Sequence, residues 1–263
     1  MPPKQAVEKS HPRLRAWAAY SPESWVAPQR DRRQSGSAVN HRRGFPMAEM
    51  TIYLGNKNYS SWSLRPWLAL KRTGAAFDEV VIPLDEPATR ANILRHSPTG
   101  KVPALKHGDV TIWDSLAICE YLAETFPAAQ LWPADKTARA VARAASAEMH
   151  SGFAALRSHL PMNVRSSFPN RGITPEVQAD INRITALWRE CRKRFGGGGE
   201  FLFGAFTIAD AMFAPVVSRF RTYRVEVDEA TQAYLDAVWG LPAFQEWATA
   251  ARNEPMIIES AEF

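Results

Sequence analysis

The sequence has few cysteines and no long uncharged apolar stretch, and each shortage excludes a class of protein. Only two cysteines, Cys119 and Cys191, occur in 263 residues. They are too few for a disulfide framework, and their spacing fits neither a metal knuckle nor a C-x-x-C redox pair. Charged residues interrupt nearly every window of the roughly 18 apolar residues that a membrane-spanning helix requires. We therefore expect a cytoplasmic protein without a metal and without a membrane partner.

The excess of positive charge is confined to the first 46 residues. They hold nine Lys or Arg and three Asp or Glu, whereas the whole chain has a formal net charge of only +5. The remainder is close to neutral, so the basic balance does not predict nucleic-acid binding. Six prolines and the lack of an apolar period predict that residues 1–46 are a disordered basic extension. Two interpretations stay open: a basic tethering arm, or a segment upstream of a true start at Met47 or Met50.

From residue 50 the apolar pattern alternates between strand and helix periods. Strands are predicted over 51–54, 78–84, 102–106 and 110–113, and helices over 62–74, 89–95 and 114–126. The order β-α-β-α-β-β-α in fewer than about 80 residues is typical of a small mixed sheet covered by helices.

Beyond residue 127 the strand pattern disappears and the remaining chain is predicted to be helical. Amphipathic helices are expected over 136–160, 175–195, 208–221, 232–238 and 243–252, with a break at the four glycines 196–199. Thr207 and Asp210 have the spacing of a capping box, which begins a helix but carries no chemistry. The sequence thus predicts an α/β domain followed by an all-helical domain.

Four segments in this order resemble motifs of the cytosolic glutathione S-transferase superfamily, in particular its serine-type zeta- and theta-like members. They are 60–70 with its Ser-Ser pair, 101–105 with Val-Pro, 114–118 with Asp-Ser, and the capping box. The likeness spans about 50–263. It implies a thioredoxin-like, glutathione-binding domain over 50–127 and an all-α domain with an electrophile site over 136–263. Glutathione as co-substrate and a homodimer are implied as well.

The resemblance places the catalytic hydroxyl at Ser60 and a supporting hydroxyl at Ser61. A glutathione enzyme must hold as thiolate a thiol whose free pKa is ~8.5. A serine cannot be a strong base, but its hydroxyl can donate a hydrogen bond to the sulfur anion, and the start of a helix adds the positive end of the helix dipole. The alternative is that both serines only cap the helix.

The other two motifs supply candidate glutathione-binding residues. The resemblance implies a cis bond between Val102 and Pro103, so that the Val102 backbone pairs with the cysteinyl part of glutathione. Lys101 is a candidate for the glycyl carboxylate. Ser115 at the start of a helix suits the γ-glutamyl carboxylate, and Asp114 suits the γ-glutamyl ammonium. Asp114 is equally suited to be a plain N-cap.

Trp62 departs from the zeta-like motif, which has cysteine at that place, and this leaves the reaction open. The expected function is conjugation of glutathione to a small electrophile. The alternatives are a glutathione-dependent isomerase or dehalogenase related to maleylacetoacetate isomerase, and a non-catalytic glutathione-binding module. Candidates for contact with the electrophile lie in the helical domain: His150, Phe153, Arg157, Met162 and Arg165.

Overall fold

The computed structural model describes residues 49–263 of the chain. The extension expected over 1–46 lies outside the described residues.

Four strands form one mixed sheet in the order β2-β1-β3-β4. Strand β1 runs parallel to β2 and antiparallel to β3, and β3 forms a hairpin with β4. Helices α1 and α2 follow β1 and β2, and α3 follows β4, which confirms the predicted order of elements. The bounds are β1 Met50–Leu54, α1 Ser61–Thr73, β2 Asp78–Val81, α2 Thr89–Leu94, β3 Ala104–His107, β4 Val110–Trp113 and α3 Ser115–Thr125.

The expected bounds of β2 and β3 were wrong. In each strand a proline lies close to the bound that differs. Strand β2 ends at Val81 rather than 84, because Pro83 has no amide hydrogen for the ladder. The amide of Leu84 then donates to the side chain of Asn56 instead of to a strand. Strand β3 begins at Ala104 rather than 102, directly after Pro103. Pro103 therefore belongs to the loop that precedes β3.

After α3 the described chain is helical, as the sequence predicts. Its helices are α4 Lys136–Ser151, α5 Ala154–His159, α6 Pro175–Phe195, α7 Ile208–Tyr223, α8 Glu229–Trp239 and α9 Pro242–Asn253. Helix α6 ends at the first of the four glycines, Gly196, which is its C-cap. A small sheet domain followed by a helical domain is therefore the architecture of the described chain.

The single helix expected over 136–160 was wrong, because the chain forms two helices there. A side chain at Gly152 would place its Cβ 2.7 Å from the carbonyl oxygen of Glu148. The next residue, Phe153, has a φ of +57°, which an α-helix does not accommodate. The chain consequently changes direction after Ser151, and α5 begins anew at Ala154.

Helices α1 and α7 join the two parts of the molecule. All of α7 except Arg221 is buried, and α1 packs both on α7 and on α3. The capping box at the start of α7 is confirmed: the carboxylate of Asp210 accepts from the amide of Thr207 at 2.8 Å and from its hydroxyl at 3.1 Å. Because α1 lies between the sheet domain and α7, its first turn faces both domains.

Within residues 49–263, no helix is both long and apolar enough to cross a membrane. The same residues contain no cluster of three or more His, Cys, Asp or Glu side chains that could hold a metal ion.

Candidate functional site

A cavity of about 440 Å³ lies between the loop before β3 and the first turn of α3. We call it the Trp62 cavity after the α1 residue that forms one wall. It gathers all five residues that the sequence predicts for glutathione binding, although they come from two separate segments. The lining residues are Trp62, Thr99, Lys101, Val102, Pro103, Trp113, Asp114 and Ser115.

The first turn of α3 presents a buried hydroxyl to this cavity. Ser115 is 1% exposed, and its Oγ makes no hydrogen bond within the described chain. A buried polar group without a partner costs about 1 to 3 kcal/mol. The start of the helix adds a partial positive charge beside this hydroxyl, although the Asp114 side chain accepts from two of its amides. This corner of the cavity is therefore suited to a carboxylate.

Asp114 is the N-cap of α3, with a φ of +73°. One carboxylate oxygen accepts from the amides of Leu116 at 2.9 Å and Ala117 at 3.3 Å. The other oxygen lies 3.2 Å from Nε2 of His150. The N-cap interpretation is thus correct, and a bound ammonium at Asp114 would share the second oxygen with His150.

The loop before β3 forms the opposite wall. The bond between Val102 and Pro103 is cis, as expected. No hydrogen bond of the described chain uses the Val102 amide or carbonyl, so both remain available to a ligand. Lys101 lines the same wall with an exposed side chain. This wall therefore offers a backbone donor, a backbone acceptor and a cation.

The two candidate catalytic serines lie at the start of α1, next to Trp62 but not among the residues that line the cavity. Ser60 is the N-cap, and its hydroxyl donates to Oγ of Ser63 at 2.7 Å. Ser63 also accepts from the amide of Gly55 at 3.0 Å. Ser61 is the first residue of the helix, and no hydrogen bond of its hydroxyl occurs in the described chain. Ser60 is therefore engaged with the fold, whereas the hydroxyl of Ser61 is free.

Trp62 is the centre of a cationic cluster. The guanidinium carbon of Arg65 lies 4.2 Å from the Trp62 ring centroid, and that of Arg157 lies 5.4 Å from it. The ring of His150 meets Trp62 edge-on at 5.3 Å. Of the candidates for electrophile contact, His150 and Arg157 thus contact Trp62, although neither lines the cavity itself.

The other three electrophile candidates lie elsewhere. Phe153 and Met162 belong to the hydrophobic core. Arg165 donates to the Tyr59 hydroxyl at 2.6 Å and to the backbone carbonyl of Glu254 at 2.9 Å. These contacts account for the positions of all three side chains without a substrate.

Sequence reasoning missed Arg65, which is 0% exposed in the middle of α1. Its pKa is lowered to about 9, first by burial and then by the positive charges of Arg219 and Arg157. The sequence does mark this residue, because Arg65 is the one charged residue in an otherwise apolar run from Leu64 to Leu70. Thr99 and Trp113 were also missed, since they stand next to the motifs rather than in them.

The two cysteines have no role in the cavity. Both are buried and unpaired. Burial raises the pKa of the Cys191 thiol to about 11 and raises that of Cys119 further. Both thiols are therefore neutral near pH 7 and belong to the core, as the sequence predicts.

The loop 56–59, which leads into Ser60, is held by the helical domain and by the C-terminal segment 254–263. The Glu254 carboxylate accepts from the amides of Lys57 at 2.6 Å and Asn58 at 3.0 Å. The Asn58 side chain bonds to Asn163 at 3.0 Å. The chain end therefore helps to fix where α1 begins.

Comparison with known proteins matches both domains to one family. The model for the N-terminal domain of glutathione S-transferase matches residues 59–125, and the model for its C-terminal domain matches 174–250. A probable maleylacetoacetate isomerase of Caenorhabditis elegans is 37% identical over 180 residues, which is 67% of this chain and 81% of that protein. Glutathione S-transferase Z2 of Arabidopsis thaliana is 27% identical over 202 residues, 72% of this chain and 88% of that protein.

A solved structure shows the same fold. A glutathione transferase homologue from Burkholderia, determined with bound glutathione, is 25% identical and superposes with a TM-score of 0.61. The match covers 78% of this chain and 99% of that one. The chain therefore belongs to the glutathione S-transferase family and is an enzyme of that family.

Proposed function

We propose that the protein binds glutathione in the Trp62 cavity and uses its thiolate against a small electrophile. The unpartnered Ser115 hydroxyl, facing the free backbone groups of Val102 across one cavity, carries this proposal. Relatives named glutathione S-transferases, and a related structure with bound glutathione, support glutathione as the co-substrate.

Each end of glutathione has a chemically matched partner in the cavity. The Ser115 hydroxyl at the start of α3 receives the γ-glutamyl carboxylate, and Asp114 receives the γ-glutamyl ammonium. The Val102 backbone pairs with the cysteinyl residue, and Lys101 attracts the glycyl carboxylate. This orientation directs the thiol towards Trp62 and the start of α1.

A hydroxyl at the start of α1 donates to the thiolate. In the structure the Ser60 hydroxyl donates its hydrogen bond to Ser63. Hydroxyl groups rotate, however, and the Ser63 hydroxyl can also act as a donor. If Ser63 donates to Ser60 instead, the proton of Ser60 is released for the sulfur. Ser61, whose hydroxyl is free, supplies the supporting hydrogen bond.

In conjugation, the thiolate sulfur forms a bond to an electrophilic carbon, and the leaving group departs with the bonding electrons. In the alternative, isomerisation, the sulfur adds to a conjugated carbon and is expelled after bond rotation, so glutathione is regenerated. The likeness to proteins named maleylacetoacetate isomerase favours this second candidate. Trp62, at the position where the zeta-like motif has cysteine, argues against it.

Calorimetric titration with glutathione, followed by two assays, tests the proposal. One assay follows conjugation to a generic aryl halide, and the other follows cis-trans isomerisation of a conjugated diacid with catalytic glutathione. Binding with conjugation supports the proposal, and isomerisation alone supports the second candidate. Lack of glutathione binding would contradict both, and binding without either reaction would favour the non-catalytic module.

We further propose that the enzyme is a cytoplasmic homodimer. The resemblance to a family of dimeric cytosolic enzymes supports this assignment, as does exposed apolar surface on the sheet domain.

A further inference from the structure

A second cavity, of about 460 Å³, lies in the helical domain between α6, α8 and the glycine loop 196–199. We call it the α6–α8 cavity. It shares no lining residue with the Trp62 cavity. Three of its lining residues are basic, namely Arg189, Arg192 and Lys193, and none is acidic. The charge of this cavity is therefore suited to an anion.

The three basic residues lie on one face of α6, because residues three and four positions apart are neighbours on a helix. The last turn of a helix favours cations through the helix dipole. Arg194 in the same turn pairs with Glu190 and does not line the cavity. The dipole thus accounts for basic residues in this turn, but not for three of them around a cavity that no carboxylate lines.

Two of these three charges have no acidic partner within residues 49–263. Arg189 is neutralised by an ion pair with Asp228, the N-cap of α8. Arg192 donates to the backbone carbonyl of Ala230 at 2.6 Å, which leaves its charge in place. Lys193 is exposed and makes neither a hydrogen bond nor an ion pair in the described chain. A ligand with two negative charges would match this pair of cations.

The cavity wall also includes two hydrogen-bond donors without an acceptor in the described chain. Gly198 has a φ of +83°, a conformation that suits glycine, and its amide makes no hydrogen bond. Trp188 is 1% exposed, and its indole Nε1 is buried without a partner. A buried donor without an acceptor is unfavourable. A ligand rich in oxygen can supply the acceptor that each donor lacks.

A phosphate monoester combines these properties. It carries close to two negative charges near pH 7 and three acceptor oxygens, whereas a single carboxylate carries one charge and would leave one cation unmatched. Ala233 and Tyr234 of α8 line the same cavity and offer apolar contact to the organic part of such an ester. The cavity volume is larger than a phosphate ion requires and falls within the range of small-molecule sites.

We propose that the α6–α8 cavity binds the phosphate monoester of a small organic molecule, either a sugar phosphate or a mononucleotide. Arg192, Lys193 and the Gly198 amide hold the phosphate group, and the α8 wall holds the organic part. This site goes beyond the proposed function, because it needs no glutathione and lies outside the Trp62 cavity.

Calorimetric titration of the full chain, without glutathione and at fixed ionic strength, tests this inference. The probes are ribose 5-phosphate, AMP, inorganic phosphate, adenosine and succinate. We expect a submillimolar Kd for at least one monoester, weaker binding of inorganic phosphate, and no binding of adenosine or succinate. Tighter binding of AMP than of ribose 5-phosphate would identify a nucleotide site, and similar values would identify a sugar phosphate site.

Lys193→Gln is the sharpest variant, because it removes an unpaired charge without breaking a contact of the fold. Its Kd for the monoester should rise about tenfold or more, since hydrogen bonds to charged groups are the strong ones. Lys193→Arg keeps the charge and should bind nearly as wild type does. Ala233→Glu adds a carboxylate at an exposed position of the cavity wall and should abolish binding.

Arg194→Gln is the matched control, because it removes one positive charge from the same turn outside the cavity, and its Kd should equal that of wild type. The inference would be overturned if neither monoester bound, or if inorganic phosphate, adenosine or succinate bound as tightly as the monoester. Equal weakening by Arg194→Gln and Lys193→Gln would contradict it too. Binding that survives both Lys193→Gln and Ala233→Glu would belong to another basic segment, such as 1–46, and would also overturn it.

Discussion

At the scale of the residue, Ser115 offers the sharpest prediction, because its buried hydroxyl has no partner in the described chain. Ser115→Ala should raise the KM for glutathione about tenfold or more, since a hydrogen bond to a charged group contributes roughly 1.5 to 3 kcal/mol. Its melting temperature should be equal to or above that of wild type. Steady-state kinetics with varied glutathione, together with thermal unfolding, measure both effects.

Ser218→Ala is the matched control for Ser115→Ala. Ser218 is 1% exposed and equally unpartnered, but it lies in α7 and does not line the Trp62 cavity. The KM for glutathione should not change in this variant. Equal KM values for Ser115→Ala and wild type would mean that the hydroxyl does not contact glutathione.

Functional residues could be predicted from the sequence where they belong to a motif. Those whose role depends on burial in the folded chain could not. The five binding candidates lie in one cavity because each stands at a loop or helix start that its motif marks. Arg65 and Ser63 were missed because their importance arises from what surrounds them in space. A lone arginine in a helix indicates an exposed residue until the packing of α7 against α1 is known.

At the scale of the element, the C-terminal segment should control catalysis from outside the cavity. Glu254→Ala removes the acceptor for two amides of the loop before Ser60. Because a displacement of about 1 Å at a catalytic group can lower a rate about a hundredfold, we expect kcat to fall at least about tenfold. The KM for glutathione should change less, since that loop does not line the cavity.

Glu259→Ala removes an exposed carboxylate of the same segment, and its kcat should equal that of wild type. If Glu254→Ala also kept wild-type kcat, the position of Ser60 would not depend on the chain end.

Asp210 in the first turn of α7 should make the free energy of unfolding depend on pH. Burial raises the pKa of Asp210 to about 6 from a model-compound value of 3.8. The folded state then binds more protons than the unfolded state between these values, so stability falls as pH rises through this range. Compared with Asp210→Asn, wild type should lose on the order of 3 kcal/mol of unfolding free energy between pH 4 and pH 7.

Urea unfolding of both proteins at the two pH values measures this difference, because other groups titrate alike in both and cancel. A constant difference would mean that the four hydrogen bonds to the Asp210 carboxylate keep its pKa near the unfolded value.

The bounds of a helix could be predicted where the apolar period and the capping residues mark the same ends. They could not be predicted where a single residue with an unusual backbone conformation interrupts the helix. Helix α6 has the predicted bounds because Thr174 and Pro175 begin it and Gly196 ends it. The break after α4 was missed because its cause is a left-handed Phe153, and no local pattern predicts that conformation for an aromatic residue.

At the scale of the whole molecule, we expect a homodimer. Val110 and Leu94 are 51% and 47% exposed on the sheet domain, and a dimer interface would cover both side chains. Sedimentation at micromolar concentration should give twice the mass of the chain. A Val110→Lys variant should shift the equilibrium towards the monomer, and a monomeric wild-type protein would contradict this expectation.

The architecture of the whole molecule could be predicted from the apolar pattern. Strand and helix periods alternate up to residue 126, and only helical periods follow. The contact between these two parts could not, since it depends on α1 packing against α7 across about 140 intervening residues. The cationic cluster beneath Trp62 arises from that contact, with Arg65 from one part and Arg157 and Arg219 from the other.

The central claim is that this molecule stabilises the thiolate of bound glutathione. A pH titration of the thiolate absorbance in the wild-type complex, with Ser60→Ala and Ser61→Ala alongside, tests it most directly. We predict that the bound thiol titrates about one to two pKa units below free glutathione, and that Ser60→Ala removes most of this difference. A bound thiol that titrates at the pH of free glutathione, in wild type and in both variants, would contradict the account.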